Sequence, residues 1–218
     1  MVETPPTAME VSAREGVLVA RFASPMRCLS SAVLGGGLGE VRSWLDVQVP
    51  SDYSRTDPEA HLAGVAGGLG LPGPVVGMLT AVLVEDYVRV SRGSSTVVAT
   101  VGVRDPLAAA SAEPPEAPRA GTINVLAVVG APLTDAALVG AACTVVEAKA
   151  GALAEAGVRA AGGEPATGTA TDSLCVACPP GSSVPFAGPA TAHGRDLALA
   201  VRGAVLRGLE LYAERGEG

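Results

Sequence analysis

The side chains that could do chemistry in this chain gather in two stretches, GTIN at 121–124 and ATGTATDSLCVACP at 166–179. Thr122, Thr167 and Thr169 carry hydroxyls flanked by glycine (Gly121 and Gly168), with Asn124 and Asp172 close by in sequence. Such a set can supply a nucleophile, an orienting carboxylate and an oxyanion donor. The same residue types also serve turns and caps through hydrogen bonds to local backbone, so spacing alone leaves both uses open. Lys149 is the one lysine in the chain. At about 100° per residue it projects into a stripe with Leu138, Ala142, Val145, Ala152 and Ala156, whereas Glu147 projects to the other side. A lysine in an apolar stripe either snorkels out or serves a pocket, where burial disfavours its charge and would make it a usable base.

Two eye-catching motifs carry less. Cys175-Val-Ala-Cys178 has no second pair to complete a zinc site, and His61 and His193 are the only histidines. It lies late in an apolar run before Pro179-Pro180 rather than at a helix start, which a thioredoxin-type pair needs. Strand alternation puts its thiols on opposite faces, so buried packing is the expected role. The run Gly35-Gly36-Gly37-Leu38-Gly39 is neither a Walker loop nor a dinucleotide fingerprint. It reads equally as a tight interstrand turn or as backbone that approaches a bulky ligand.

Composition excludes several classes. Net charge is -7 and the cations are not clustered, so the grouped positive charge that nucleic-acid binding requires is missing. Four cysteines in 218 residues make no disulfide framework. Apolar residues are 48% of the chain, yet Gly, Pro and charge interrupt them short of the ~20 residues of a membrane span. The opening MVETPPTAMEVSAREG shows no signal-peptide pattern, so a cytoplasmic protein is expected.

Periodicity and caps outline the elements that must position these residues. Strands are expected at 16–22, around 28–34, at 41–49, three times within 75–103, and in GTINVLAVVGAP, whose apolar run suggests burial on both faces. Asp57-Pro58 should open a helix to about Leu69, Thr134-Asp135 a long one to about Gly157, and residues 191–213 form the last. Residues 104–120 are Pro/Ala/Glu-rich without periodicity and read as an exposed, mobile connector. The expectation is a single α/β domain, 1–218, of mixed sheets packed with helices, in two halves of about 14–103 and 121–213.

The blocks SSAVLGGGLGEVRSWLDVQVP (30–50), VGMLTAV (76–82) and ATVGV (99–103), then GTINVLAVVGAPLTDAALVGAACTVVEAKAGAL (121–153), TGTATDSLCVACP (167–179) and AGPATAHGRDLALAVRGAV (187–205), resemble the adenosylcobinamide amidohydrolases in order over nearly the whole chain. The resemblance implies hydrolysis of the amide between a corrin propionate arm and aminopropanol, in corrinoid salvage for coenzyme B12. In a hydrolase of this kind Thr122 would attack the amide carbonyl, Lys149 or a freed amine would accept its proton, Asn124 and a backbone N–H of the TGT turn would hold the oxyanion, and Asp172 would position Lys149 or a threonine hydroxyl. Its substrate surface would draw on Ser30, Ser31, Gly35, Gly36, Gly37, Trp44, Asp46, Glu147, Thr167, Gly168, Thr169 and His193. No metal or cofactor is implied beyond the substrate's own cobalt, and no nucleic-acid or membrane partner; homo-oligomers are compatible with it. The family tends to have asparagine at the position of Asp46 and an acidic residue near that of His193, which leaves the corrinoid preference open. Fainter is a similarity of 121–173 to the ornithine acetyltransferase group, which implies α/β/β/α layers and self-cleavage before Thr122. The alternatives are another amidase or acyltransferase on the same fold, or a corrinoid-binding protein without turnover.

Overall fold

A single strand organises the architecture. In the computed structural model, which describes residues 9–110 and 122–216, β2 (Val17–Ser30) changes neighbour midway along its length. Its first part pairs antiparallel with β1 (Met9–Arg14), from Arg14↔Val17 to Met9↔Phe22. Its second part pairs antiparallel with β10 (Ser173–Cys178), from Arg27 to Ser30. On the other side β3 (Gly37–Gln48) follows β2 along both parts, with an irregularity between Arg21 and Met26. The two strands expected at 16–22 and 28–34 are therefore one, and it ends at Ser30. Residues 31–36 form the turn into β3.

From β10 the sheet continues through β8 (Ile123–Val129), parallel to it, and β6 (Ser95–Val101), antiparallel, to an edge at β5 (Val88–Arg92). The opposite edge is β4 (Val75–Thr80), parallel to β3. Eight strands thus form one mixed, open sheet. The second-half strands β10 and β8 are inserted side by side between β2 and β6 of the first half. A separate two-stranded ribbon joins β7 (Pro106–Leu107), inside the expected connector, to β9 (Gly168–Thr169).

Side-chain alternation divides the core into three clusters, and these define the layers. Leu18, Trp44, Met78, Val98, Leu126 and Cys175 share one cluster although they come from both ends of the sheet. Their meeting requires the sheet to fold back over itself around β2. The intervening residues of the first layer, Val19, Leu45 and Val47, pack under α1 (Pro58–Gly68). Those of the second layer, including Val97, Val125, Ala127 and Val176, pack under α2 (Asp135–Glu155) and α3 (Ala192–Glu214). The result is a layered α/β fold in the order α/β/β/α, its two β layers belonging to one sheet. β8 is buried on both faces along its whole length, as its apolar run predicts.

Local chemistry explains the helix starts. Thr134 accepts a hydrogen bond from the Ala137 N–H at 3.1 Å and Thr191 one from the Gly194 N–H at 3.0 Å, caps worth about 1 kcal/mol each. Asp57 does not cap α1: its backbone, at ψ 52°, lies outside the extended conformation of a capping residue, and its carboxylate pairs with Arg55 at 2.8 and 2.9 Å. Pro58 at the first helical position starts that helix. Contrary to expectation, α2 is long and apolar enough to cross a membrane by length and composition. It is used here as a core helix, burying Leu138, Val145, Lys149 and Leu153. The Cys pair is split between faces: Cys175 belongs to the interlayer core and Cys178 to the helix side. Burial and, for Cys175, first a hydrogen bond with Cys28 raise both thiols, which removes the thiolate that redox chemistry needs.

Candidate active site

Asp172 is the hub. It sits in the turn between β9 and β10, and its carboxylate receives donors from four directions. Oδ1 accepts from the Ile123 N–H at 2.9 Å and from Thr169 Oγ1 at 2.5 Å. Oδ2 accepts from the Thr169 N–H at 3.0 Å and pairs with the Lys149 ammonium. Both charged side chains are largely shielded, with exposures of 11% for Lys149 and 14% for Asp172. The lysine from α2 thus reaches out of the apolar stripe onto a carboxylate, and its ammonium is occupied; the expected proton-acceptor role does not fit this arrangement. Gly168 is required by the same contact. A Cβ there would collide with the Asp172 carboxylate and stand 2.7 Å from Lys149 Nζ.

Binding the Ile123 N–H fixes the start of β8 and with it Thr122, whose Oγ1 lies 2.8 Å from Thr171 Oγ1. Gly121, on the far side of the expected cleavage bond, lies outside the described residues. Thr122, Thr171, Asp172, Ser173 and Ser31 form one wall of a cavity of about 440 Å³, with Met78, Leu79, Thr80 and Tyr53 among its other linings. A second cavity of about 270 Å³ adjoins it on the α2 side, lined by Ile123, Val125, Val145, Val146, Leu174 and Lys149. Ser31, Asp172 and Ser173 line both. The Ser31 and Ser173 hydroxyls are 3.2 Å apart, and Ser30 anchors the same turn by donating to the Leu174 carbonyl at 2.8 Å.

Behind this wall, between the two β layers, lies a fully buried polar cluster. Asp46 of β3 accepts from Asn124 Nδ2 at 2.9 Å and from Thr100 Oγ1 at 2.7 Å. Asn124 Nδ2 also donates to the Leu79 carbonyl at 2.9 Å. Both amide hydrogens of Asn124 are therefore committed, and the expected oxyanion donation does not fit. Its Oδ1 is buried without a partner. Burial pushes the Asp46 carboxyl up to about 6, against which the bonds from Thr100 and Asn124 act. A raised carboxyl means that the folded state holds its proton more tightly than the unfolded chain does. The associated stability is complete below about pH 4 and is lost as pH rises through 6, a change of about 3 kcal/mol for a carboxyl moved from about 4 to about 6. Asp46→Asn should remove this dependence. Urea midpoints at pH 5 and pH 8 are expected to show the variant gaining on the native protein as pH rises, and a constant difference would refute the assignment.

The remaining expected residues lie elsewhere. Trp44 is fully buried in the interlayer core and lines neither cavity. Gly35 and Gly36 build the β2–β3 turn, where a Cβ on Gly35 would collide with the Val75 carbonyl; Gly37 opens β3 with φ +95°. Glu147 is exposed on α2, and His193 lies in the first turn of α3. Thr167 ties β9 to the residues after β7, accepting from the Ala109 N–H at 2.9 Å. Sequence reasoning missed Thr171, Ser173, Thr100 and Tyr53. Thr171 and Ser173 flank Asp172 directly, and Thr100 is a polar residue inside the apolar run TVVATV; both signals were available. Tyr53 is held by His61 Nδ1 at 3.0 Å and stacks on its ring at 5.7 Å.

Fold and site together define a layered α/β protein that presents hydroxyl, carboxylate and ammonium groups to a small-molecule cavity at the end of its β layers. The chain belongs to the adenosylcobinamide amidohydrolase family, whose model matches residues 3–217, and it is a hydrolase. An adenosylcobinamide amidohydrolase of Methanosarcina mazei is 31% identical over 194 residues, spanning 84% of this chain and 90% of its own. One of Halobacterium salinarum is 32% identical over 212 residues, spanning 92% of this chain and 87% of its own. An uncharacterized protein of Methanocaldococcus jannaschii is 37% identical over 91 residues, 41% of this chain and 36% of its own.

Proposed function

We propose that this enzyme hydrolyses the amide joining a corrin propionate arm to aminopropanol in adenosylcobinamide, giving adenosylcobyric acid and aminopropanol for coenzyme B12 synthesis. The observation that supports this most is the meeting of Thr122, Asp172 and Ser31 on one cavity wall, in a chain of this family. In the overall reaction the C–N bond breaks, water's oxygen ends on the carboxylate, and its two hydrogens leave the amine as an ammonium and the acid ionised. A whole corrinoid has several dozen heavy atoms and needs on the order of 2000 Å³ at the roughly 30 Å³ per heavy atom of liquid water. The cavity of about 440 Å³ therefore takes the amide arm, with the ring outside its mouth.

In this reading Thr122 Oγ1 attacks the carbonyl, and its proton passes through the Thr171 hydroxyl to the departing amine nitrogen, or to a new α-amine where the chain is cut before Thr122; water then cleaves the acyl ester and restores the hydroxyl. Asp172 fixes the backbone behind the nucleophile, and Lys149 holds Asp172. The Ser31 and Ser173 hydroxyls take the oxyanion role. We propose no cofactor or resident metal, no nucleic-acid or membrane partner, and the cytoplasm as compartment; self-association is compatible. The test is incubation with adenosylcobinamide and mass detection of the amine. Stoichiometric release of aminopropanol is expected. Tight corrinoid binding with no release would replace the hydrolase by a corrinoid carrier.

A further inference from the structure

The second cavity takes no part in the attack by Thr122. It is bounded by Val145 and Val146 of α2 and by Ile123, Val125 and Leu174 of the sheet, and polar groups reach it only from Lys149 and the three residues it shares with the first cavity. Those three, Ser31, Asp172 and Ser173, form a septum between a larger and a smaller chamber. A substrate cut at the septum must place one side of its scissile bond in each.

Resting on the hydrolase reading above, we infer that the smaller chamber is the subsite for the amine half of the amide and selects a short, branched amino alcohol. The order of the substrate decides the direction. The ring enters neither chamber, and Thr122 lines only the larger one, so the carbonyl with its arm lies there and the amine side lies across the septum. With three carbons, a nitrogen and an oxygen, aminopropanol needs roughly 150 Å³ at the volume per heavy atom of liquid water, which the chamber of about 270 Å³ accommodates. Its methyl group meets the valines, isoleucine and leucine. Its hydroxyl meets the Lys149 ammonium that lines this chamber, and the amine leaves beside the Asp172 carboxylate.

The experiment compares kcat/KM for the aminopropanol amide of adenosylcobyric acid with that for its methylamide and for a bulkier cyclohexylamide. The native enzyme should favour aminopropanol over methylamine by roughly 10-fold or more, the effect of added carbons in an apolar pocket. Val146 is half exposed, so Val146→Trp fills the chamber from its surface side and should collapse that ratio. Leu174→Ala widens it and should raise cyclohexylamide cleavage at least 10-fold relative to the native enzyme, a gain that misfolding cannot produce. Native ratios in both variants would overturn the amine subsite while leaving the hydrolase reading intact. No amine released from any amide by the native enzyme would bring down both.

Discussion

Thr122→Ala is expected to lower kcat for aminopropanol release by about 10⁴-fold or more, the order of loss when a covalent nucleophile is removed. The fold should survive the change. Thr122 gives up one hydroxyl contact, to Thr171 at 2.8 Å, and a single hydrogen bond contributes only about 1 kcal/mol net. A kcat within 10-fold of native, in protein with an unchanged melting temperature, would exclude Thr122 from covalent chemistry and turn attention to activated water. Thr122→Ser sharpens the test, because it keeps an attacking oxygen and should retain measurable turnover. Denaturing mass spectrometry of the active native enzyme then decides the base. Two fragments meeting at Gly121/Thr122 assign it to the new α-amine, whereas one intact 21.5 kDa chain leaves the proton to pass through Thr171 to the departing nitrogen.

The second large effect concerns the pair beneath that nucleophile. Lys149→Met keeps most of the side-chain volume but leaves Asp172 charged and shielded, with 14% of its side chain exposed. Asp172 keeps its three other donors, so the loss is that of one hydrogen bond between charged groups, roughly 1.5–3 kcal/mol. Turnover should fall as well, because Asp172 holds the Ile123 N–H and so the backbone that carries Thr122. The double variant Lys149→Met/Asp172→Asn removes the unpaired charge and should regain part of the stability. Urea unfolding of the four proteins forms a double-mutant cycle. Additive losses would mean that the two charges do not interact, against the contact seen here.

What could be read from sequence follows a physical division. The long helix announced itself through Thr134, whose hydroxyl acts within three residues, and β8 through an unbroken apolar run. Lys149 was placeable because helical periodicity is local. Periodicity tells which face a residue presents, but not what stands opposite. Asp46 lies 78 residues before Asn124, so nothing local revealed that it would take an Asn124 amide hydrogen. Asp57 pairs with Arg55, two residues away, and its backbone does not take the extended conformation that capping needs, which its residue type does not reveal. The change of partner within β2 depends on β1 and β10, from opposite ends of the chain, and left no mark beyond the interruption near Ser24-Pro25.

Strands from the two halves interleave like clasped fingers, β8 and β10 gripped between β2 and β6. A cut between residues 110 and 122 would therefore not release two pieces. Each would keep the other through two complete hydrogen-bonded ladders and a shared interlayer core. Maturation by proteolysis, or assembly from two separately translated genes, is open to this architecture with no new interface to evolve.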